Sequence, residues 1–203
     1  MCRRVEPDFT RAAAYGPYDG GLRELIHLLK YDHVRPAAHV LGRLLAQVFD
    51  DLQPAFGAQL PVVVPVPLHP SRLRERGFNQ TEEIVRTALK LHPGLKMSTD
   101  VLVRRRATAS QIGLTRHQRR ANLRGAFEVI GSEQIAARDV LLVDDVFTTG
   151  TTVSECARIL RRSGASRVFV ATVARVLRAE APAAASNQPD REREEEAALA
   201  ATA

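Results

Sequence analysis

A run of thirteen residues, Val140 to Thr152, restricts the fold of this chain more than any other segment; it reads VLLVDDVFTTGTT. Its first four residues are apolar, which predicts a strand buried on both faces, as in a parallel sheet. Asp144 and Asp145 follow this strand, and a hydroxyl-rich loop with a glycine at position 150 leads into a predicted helix. Because open α/β sheets bind ligands at the carboxyl ends of their strands, the run predicts a ligand site.

Two other short apolar runs, Val62–Val66 and Val168–Val173, also predict buried strands. The helical spacing of apolar residues predicts helices over 79–91 and 152–163, which separate these strands along the chain. This alternation of strand and helix favours an α/β protein with a central, mostly parallel sheet flanked by helices.

Smaller elements complete the predicted organisation. Helices over 20–31 and 34–52 are expected to form a small N-terminal helical part. We expect an edge strand within 97–103 and a further strand over 126–130. The intervening segments 67–77 and 104–125 lack a clear period and are predicted to be loops.

The loop after the two acids has the features of an anion site. Gly150 permits close approach of the backbone, and the N–H groups at the start of the next helix are available to a bound anion. Threonine hydroxyls on both sides of Gly150 add further donors. Asp144 and Asp145 are predicted to lie beside this cradle, where carboxylates can accept hydrogen bonds from vicinal sugar hydroxyls. A phosphate site next to a diol site predicts a ribose 5-phosphate ligand.

Other ligand sites built on acid-bearing strands fit the sequence less well. The chain contains neither the Gly-x-x-x-x-Gly-Lys-Ser/Thr loop of a P-loop nucleotidase nor the Gly-x-Gly-x-x-Gly of a dinucleotide site. A receiver domain needs a lysine after its acids, whereas no lysine follows Lys96. A polar turn without a ligand is the purely structural alternative.

Basic residues are concentrated in one segment. The chain carries a net charge of +6, and residues 101–125 contain seven arginines and no acid. Such a block attracts the phosphates of a nucleotide or of nucleic acid. A genome rich in arginine codons is the alternative explanation of the overall arginine bias.

The run Val140–Thr152 resembles the signature that binds 5-phosphoribosyl 1-pyrophosphate (PRPP) in type I phosphoribosyltransferases. Val64–His69 and Arg72–Gln80 resemble the ComF/GntX group of this fold, the competence protein F-like branch. A spaced motif from Arg106 to Phe127, and Tyr15-x-x-Tyr18 ahead of the Leu-Lys-Tyr at 29–31, agree with that group. The resemblance covers about residues 14–177 and implies a type I phosphoribosyltransferase-like fold.

The resemblance also implies a role for each matched segment. Asp144 and Asp145 would bind the ribose hydroxyls, directly or through Mg²⁺ that PRPP carries, without a metal cage of side chains. The 5-phosphate would be held by the loop residues Thr148, Thr149, Gly150, Thr151 and Thr152. Pyrophosphate would lie against Leu68–Arg76, where binding by arginine and a merely solvated turn are the two alternatives. The arginines concerned are Arg72, Arg74 and Arg76.

The arginine-rich segment 104–125 would act as a mobile loop over the site or as a nucleic-acid contact, and these two uses are compatible. Its candidate residues are Arg106, Gln111, Arg116, Arg119 and Arg120.

The N-terminus departs from the family pattern. Members of the ComF/GntX group commonly carry a four-cysteine zinc module, whereas this chain has two cysteines, Cys2 and Cys156. We therefore expect no zinc in this chain, and we expect Cys156 to be a small buried helix residue. Residues 1–13 are interpreted as the remnant of a linker to such a module and 14–177 as the phosphoribosyltransferase-like domain. Residues 178–203 are expected to be a disordered or loosely helical tail.

Three functions are consistent with the sequence. The first is a PRPP-binding, phosphoribosyltransferase-like competence protein in DNA uptake for natural transformation, with single-stranded DNA and competence proteins as candidate partners. The second is a phosphoribosyltransferase active in nucleotide or base salvage, and the third is a non-catalytic regulator that binds nucleotide and RNA. No apolar run is long enough to span a bilayer and no secretory signal is visible, so we expect a cytoplasmic protein. The apolar N-terminal helices leave a homodimer open.

Overall fold

A computed structural model describes residues 7–108 and 116–177 of the chain. Its main sheet has five strands in the order β1-β7-β6-β2-β3, and every pairing in it is parallel. These strands are β1 (Arg11–Pro17), β2 (Val62–Pro65), β3 (Lys96–Met97), β6 (Asp139–Phe147) and β7 (Arg167–Arg175). Two further strands, β4 (Leu102–Arg104) and β5 (Phe127–Val129), form a separate antiparallel pair. The predicted α/β class and its mostly parallel sheet are confirmed.

Six α-helices lie within the described residues. They are α1 (Gly20–Lys30), α2 (Ala37–Leu52), α3 (Pro70–Arg76), α4 (Gln80–Leu91), α5 (Arg116–Leu123) and α6 (Thr151–Arg162). Single 3-10 turns follow α2 at Gln53–Ala55 and β5 at Ser132–Gln134. None of these helices is long and apolar enough to cross a membrane.

The sheet separates two apolar cores. Residues of α1, α2 and α4 pack on one face, together with Leu141 and Val143 of β6. Residues of α6 and the β4–β5 pair pack on the other face, together with Val140 and Leu142. Successive side chains of a strand point to opposite faces, so the continuous apolar run of β6 supplies both cores. Cys156 of α6 is buried in the second core, as predicted.

Three predicted boundaries are wrong, and each has a local physical reason. The segment predicted as a loop over 67–77 contains α3, which His69 caps through its ring Nδ1 and which ends at Gly77 with φ at +77°. The segment predicted as a loop over 104–125 contains α5, whose arginines and polar residues leave little apolar periodicity to detect. The edge strand expected within 97–103 is divided between β3 and β4, which belong to different sheets.

One strand had no counterpart in the predicted elements. β1 lies at the edge of the sheet beside β7, and its exposed and half-buried residues do not form an apolar run. The proposed domain boundary between residues 13 and 14 falls inside this strand. Cys2 and the segment 178–203 lie outside the described residues, so their interpretation stays a prediction.

Candidate functional site

The two adjacent acids belong to β6 itself, whose nine residues extend to Phe147. The alternation of side chains along this strand directs Asp144 to the α6 face, like Leu142, and Asp145 to the α1–α4 face, like Val143. The structure therefore separates the two carboxylates across the carboxyl end of the sheet.

Asp145 is buried and has partners from two helices. The Lys30 Nζ, at the end of α1, lies 2.9 Å from Oδ1 of Asp145. The Gln80 side-chain amide, at the start of α4, donates to Oδ2 of Asp145 at 2.9 Å. Burial acts to lower the pKa of Lys30, but the charge of Asp145 and the hydrogen bond to it raise this pKa above its ordinary value. Lys30 is thus a charged partner of Asp145, although no site role was predicted for it.

Asp144 has a different environment. It is half-buried, and its Oδ1 accepts a hydrogen bond from the backbone N–H of Asp145 at 3.0 Å. No side chain of the described residues donates a hydrogen bond to it. Burial raises the pKa of Asp144 to about 7, and the negative charge of Asp145 adds to this shift while Lys30 opposes it. A carboxylate with few protein donors is available to a ligand.

The threonine-rich loop forms the start of α6. Gly150 is the residue before the first helical turn and has φ at +72°, a left-handed conformation that glycine adopts without strain. The Oγ1 atoms of Thr149 and Thr151 lie 2.8 Å apart. Gly150 has no side chain to cap this twelve-residue helix, whose N-terminus carries the positive end of the helix dipole. The structure brings all five predicted phosphate-loop residues, 148–152, to this helix start.

The three arginines predicted at the pyrophosphate site lie on α3 rather than on a loop. Arg72 and Arg76 are four residues apart and share one side of the helix, whereas Arg74 lies near the opposite side. Arg72 is exposed and forms an ion pair with Glu75. Arg76 is half-buried and donates to the Oε1 of Gln80, so the Gln80 amide joins it to Asp145. Burial lowers the pKa of Arg76, and the charge of Asp145 opposes that shift.

Arg104 was not among the predicted site residues, although it lies in the arginine-rich segment. It lies at the end of β4 with its guanidinium carbon 5.4 Å from the centroid of the Phe127 ring, and its Nη2 donates to Thr108. Its Nε is buried and has no partner within the part of the chain that the structure describes. Burial lowers the pKa of Arg104, and the nearby acidic groups Cys156 and Asp144 oppose this shift. Nothing in the sequence distinguishes Arg104 from the other arginines of its segment.

The remaining predicted arginines divide into two groups. Arg106 donates from Nη2 to the carbonyl oxygens of Asn122 and Arg124, at 2.8 Å and 2.9 Å, and thereby caps the end of α5. Arg116, Arg119 and Arg120 belong to α5, and Gln111 lies outside the described residues. The described residues contain no cluster of three or more metal-ligating side chains.

Comparisons with known proteins identify the family of this chain. The family model for the phosphoribosyl transferase domain matches residues 80–193. The DNA utilization protein YhgH of Escherichia coli (strain K12) is 35% identical over 178 residues, which is 87% of this chain and 77% of that protein. Competence protein F of Haemophilus influenzae is 31% identical over 176 residues, which is 86% of this chain and 76% of that protein.

A solved structure with a similar fold is glutamine PRPP amidotransferase from B. subtilis, at a TM-score of 0.43 and 21% identity. The similarity covers 68% of this chain and 26% of that larger enzyme. The family model and the two relatives are sufficient for assignment: the chain belongs to the phosphoribosyl transferase domain family, in the group that contains competence protein F and DNA utilization protein YhgH.

Proposed function

We propose that this protein binds PRPP, or a related ribose 5-phosphate compound, at the carboxyl end of its sheet and acts in the cytoplasm in the handling of incoming DNA. The observation that carries the proposal is the position of Asp144 and Asp145 on β6, directly before the glycine-threonine start of α6. The names of the relatives, competence protein F and DNA utilization protein, favour a role in DNA uptake over a general metabolic one.

The 5-phosphate is assigned to the start of α6. Uncapped N–H groups and the positive end of the helix dipole favour a dianion at this position. A Cβ at position 150 would lie 2.6 Å from the Phe147 ring, so only glycine keeps this turn in its present conformation. The Thr149 and Thr151 hydroxyls, which now bond to each other, are donors that can turn to phosphate oxygens.

Mg²⁺ fits this site as a companion of PRPP rather than as a resident ion. The donors here are carboxylate and hydroxyl oxygens, the type of ligand that Mg²⁺ prefers, but they are too few for a cage. Mg²⁺ is commonly bound by one or two carboxylates together with substrate phosphates. Bound with PRPP, it would supply positive charge to the pyrophosphate group. Asp144 would accept hydrogen bonds from the ribose hydroxyls at the same edge.

We assign the pyrophosphate subsite to arginines of two elements. Arg72 and Arg76 share one side of α3, and Arg104 approaches from β4 with an unpartnered Nε. Arg74 lies on the far side of α3, so we assign it no role in this subsite. Cationic donors next to a departing pyrophosphate would also favour transfer at the anomeric carbon. Phosphoribosyl transfer is therefore the second candidate function.

A contact with single-stranded DNA is assigned to α5 and the segment before it. This stretch belongs to the acid-free arginine block, and its helix α5 packs against α6 on the face to which Asp144 points. Arginine neutralises phosphate and stacks on bases, which suits binding without sequence preference. RNA contact by the same arginines, the third function considered, predicts a preference for RNA over DNA of equal length.

Calorimetry tests the ligand assignment. The unmodified protein should bind PRPP in the presence of Mg²⁺, and Asp144→Asn should weaken binding at least tenfold, or about 1.4 kcal/mol. Asp51→Asn on the exposed side of α2 removes one carboxylate far from the site and should bind like the parent. Equal affinity of Asp144→Asn and the parent would contradict the site. Release of pyrophosphate with a panel of nucleobases then distinguishes a transferase from a protein that only binds PRPP.

A further inference from the structure

We infer that Lys30 is a positioning residue of the ligand site. Together with Gln80 it holds Asp145 on one face of β6, and Asp144 on the other face is then the carboxylate that contacts the ligand. The inference rests on the proposed function. It gives the two acids different roles, because the two carboxylates have different partners.

Both carboxylate oxygens of Asp145 are already occupied. Oδ1 lies 2.9 Å from the Lys30 Nζ, and Oδ2 accepts the Gln80 amide at 2.9 Å. The Asp145 side chain is 6% exposed, and that of Lys30 is 19% exposed. Each of these oxygens already has one donor, and burial of the side chain leaves little room for a ligand hydroxyl to approach a second lone pair. Asp145 is therefore poorly suited to be the first contact of a sugar.

Lys30 is itself held in place from several sides. The α1 helix follows β1 at the carboxyl edge of the sheet, and its last residue reaches across that edge to β6. Beyond Lys30, the His33 ring lies 3.2 Å from the carbonyl oxygen of Arg76, so the α1–α2 turn contacts the end of α3. Within α1, the His27 ring bonds to the Tyr18 hydroxyl at 3.0 Å. These contacts anchor the helix and the turn on either side of Lys30, whose ammonium group is bound by Asp145.

Asp145 in turn orients Asp144. Its backbone N–H donates to Oδ1 of Asp144 at 3.0 Å, so the conformation of residue 145 sets the direction of the neighbouring carboxylate. Asp144 faces the side of the sheet that carries α6 and Arg104. The 5-phosphate loop begins on that same side. Fixing Asp145 through Lys30 thus fixes Asp144 beside the predicted phosphate.

A purely structural ion pair would also explain the contact between Lys30 and Asp145, and the two roles predict different measurements. A structural pair affects unfolding but not the affinity of the protein that remains folded. A positioning residue changes PRPP affinity at temperatures where the variant is fully folded. Its effect also disappears when Asp145, through which it acts, has already been changed.

The test compares PRPP affinity in five variants, Lys30→Met, Lys30→Arg, Asp145→Asn, the double variant of Lys30 and Asp145, and Lys90→Met, with circular dichroism to confirm folding at the temperature used. Lys30→Met should weaken PRPP binding about tenfold or more, and Lys30→Arg, which keeps the charge, should stay within about threefold of the parent. The double variant Lys30→Met with Asp145→Asn should bind PRPP as tightly as whichever of its two single variants has the lower affinity. Lys90→Met, on the exposed side of α4, should bind like the parent.

Parental affinity of Lys30→Met, or additive losses in the double variant, would overturn the inference. If Lys30→Met does not fold, the affinities and melting temperatures of Lys30→Arg and Asp145→Asn test the inference instead. Lys30→Arg must keep its affinity, and Asp145→Asn must lower the melting temperature as well as the affinity, whereas Asp144→Asn must lower the affinity without lowering the melting temperature. Equal effects of Asp144→Asn and Asp145→Asn on both quantities would show that the acids share one role. Failure of the parent to bind PRPP would instead refute the proposed function.

Discussion

A Cβ built on Gly150 would lie 2.6 Å from Cζ of Phe147, closer than side-chain carbons approach one another. Gly150 also has φ at +72°, so its backbone conformation and its neighbour exclude a side chain independently. Phe147 is the last residue of β6, and Gly150 precedes the first residue of α6. The contact therefore sets how closely the strand with the acids is followed by the helix with the phosphate loop.

Gly150→Ala is expected to weaken PRPP binding by tenfold or more, or about 1.4 kcal/mol. The methyl group must displace the Phe147 ring or the turn, and either movement redirects the N–H groups at the start of α6. The measurement is calorimetric titration with PRPP and Mg²⁺ at a temperature where the variant is folded.

Gly164→Ala is the matched control for this change. Gly164 has φ at +103°, so alanine is strained there too, but its nearest contact would be an ordinary 3.7 Å to Ala136. This control should lose stability by about 1 kcal/mol without loss of affinity. Equal loss of PRPP affinity in both variants would mean that strain anywhere in the fold, rather than the geometry at Gly150, controls binding.

The parts of the site that could be predicted are those that adjacent residues encode. The acids, the threonines and Gly150 follow one another along the chain, so the strand-loop-helix pattern determines their arrangement. Lys30 lies more than one hundred residues before Asp145 in the sequence. Their contact depends on the path of α1 across the sheet edge, which no local pattern specifies.

The arginines illustrate a second limit of sequence reasoning. As members of a loop, Arg72, Arg74 and Arg76 appeared equivalent, and only the short helix α3 separates Arg74 from the other two. Arg104 and Arg106 lie in one basic run, yet the Nε of Arg104 is buried without a partner among the described residues, whereas Arg106 bonds to the end of α5. Because these arginines carry the same charge, the sequence does not show which of them bind a ligand. Their burial in the folded protein distinguishes them.

A second prediction concerns the packing of α2 against α4. A Cβ at Gly42 would lie 2.4 Å from Cβ of Thr87 and 2.7 Å from the carbonyl oxygen of Ile84, so the two helices would have to separate. Gly42→Ala should therefore lower the free energy of unfolding by about 1–3 kcal/mol, even though alanine favours a helix. Urea denaturation followed by circular dichroism measures this change.

Gly21→Ala makes the same substitution in a helix with open space around it. Gly21 lies in α1, and no heavy atom is within 4 Å of its added Cβ. It should raise the free energy of unfolding by about 0.5–1 kcal/mol. A gain in stability for Gly42→Ala as well would show that α2 and α4 are less tightly packed than the structure indicates.

The third prediction is a pH dependence that originates in Asp144. Its pKa is raised from 3.8 to about 7 in the folded protein, chiefly by burial. From about pH 4 to pH 7 the folded protein therefore retains a proton that the unfolded chain has lost. The protonated Asp144 therefore stabilises the folded protein most below about pH 4. This stabilisation decreases as the pH rises towards 7 and changes little at higher pH.

Melting temperatures of the parent and of Asp144→Asn, in metal-free buffers from about pH 4.5 to pH 8, isolate this contribution. Asparagine does not titrate, so the variant should gain stability relative to the parent as the pH rises to about 7, after which the difference should level. The residues other than position 144 are the same in both proteins. A difference that does not depend on pH would contradict the raised pKa.

The fourth prediction tests DNA contact by α5. Each phosphate neutralised on a single strand contributes about 0.7 to the slope of log K against log salt concentration. Three or four contacts give a slope of about −2 to −3 for an oligonucleotide of about 30 nucleotides. Arg116, Arg119 and Arg120 occupy the i, i+3 and i+4 positions at the start of α5, a spacing that places residues on one face of a helix. Their change to alanine should flatten the slope by about two units.

A control with the same loss of charge separates contact from general attraction. Arg43, Arg86 and Lys90 are exposed on α2 and α4, which pack on the other face of the sheet from α5. Their triple change to alanine should leave the slope close to that of the parent, because only phosphates in contact release counterions.

Parallel titration with PRPP shows whether the α5 variant also affects the ligand site. If the α5 variant keeps the parental slope, or if the parent does not bind DNA at about 50 mM salt, the arginine block serves the pyrophosphate subsite alone. Salvage of nucleobases then becomes the better-supported function.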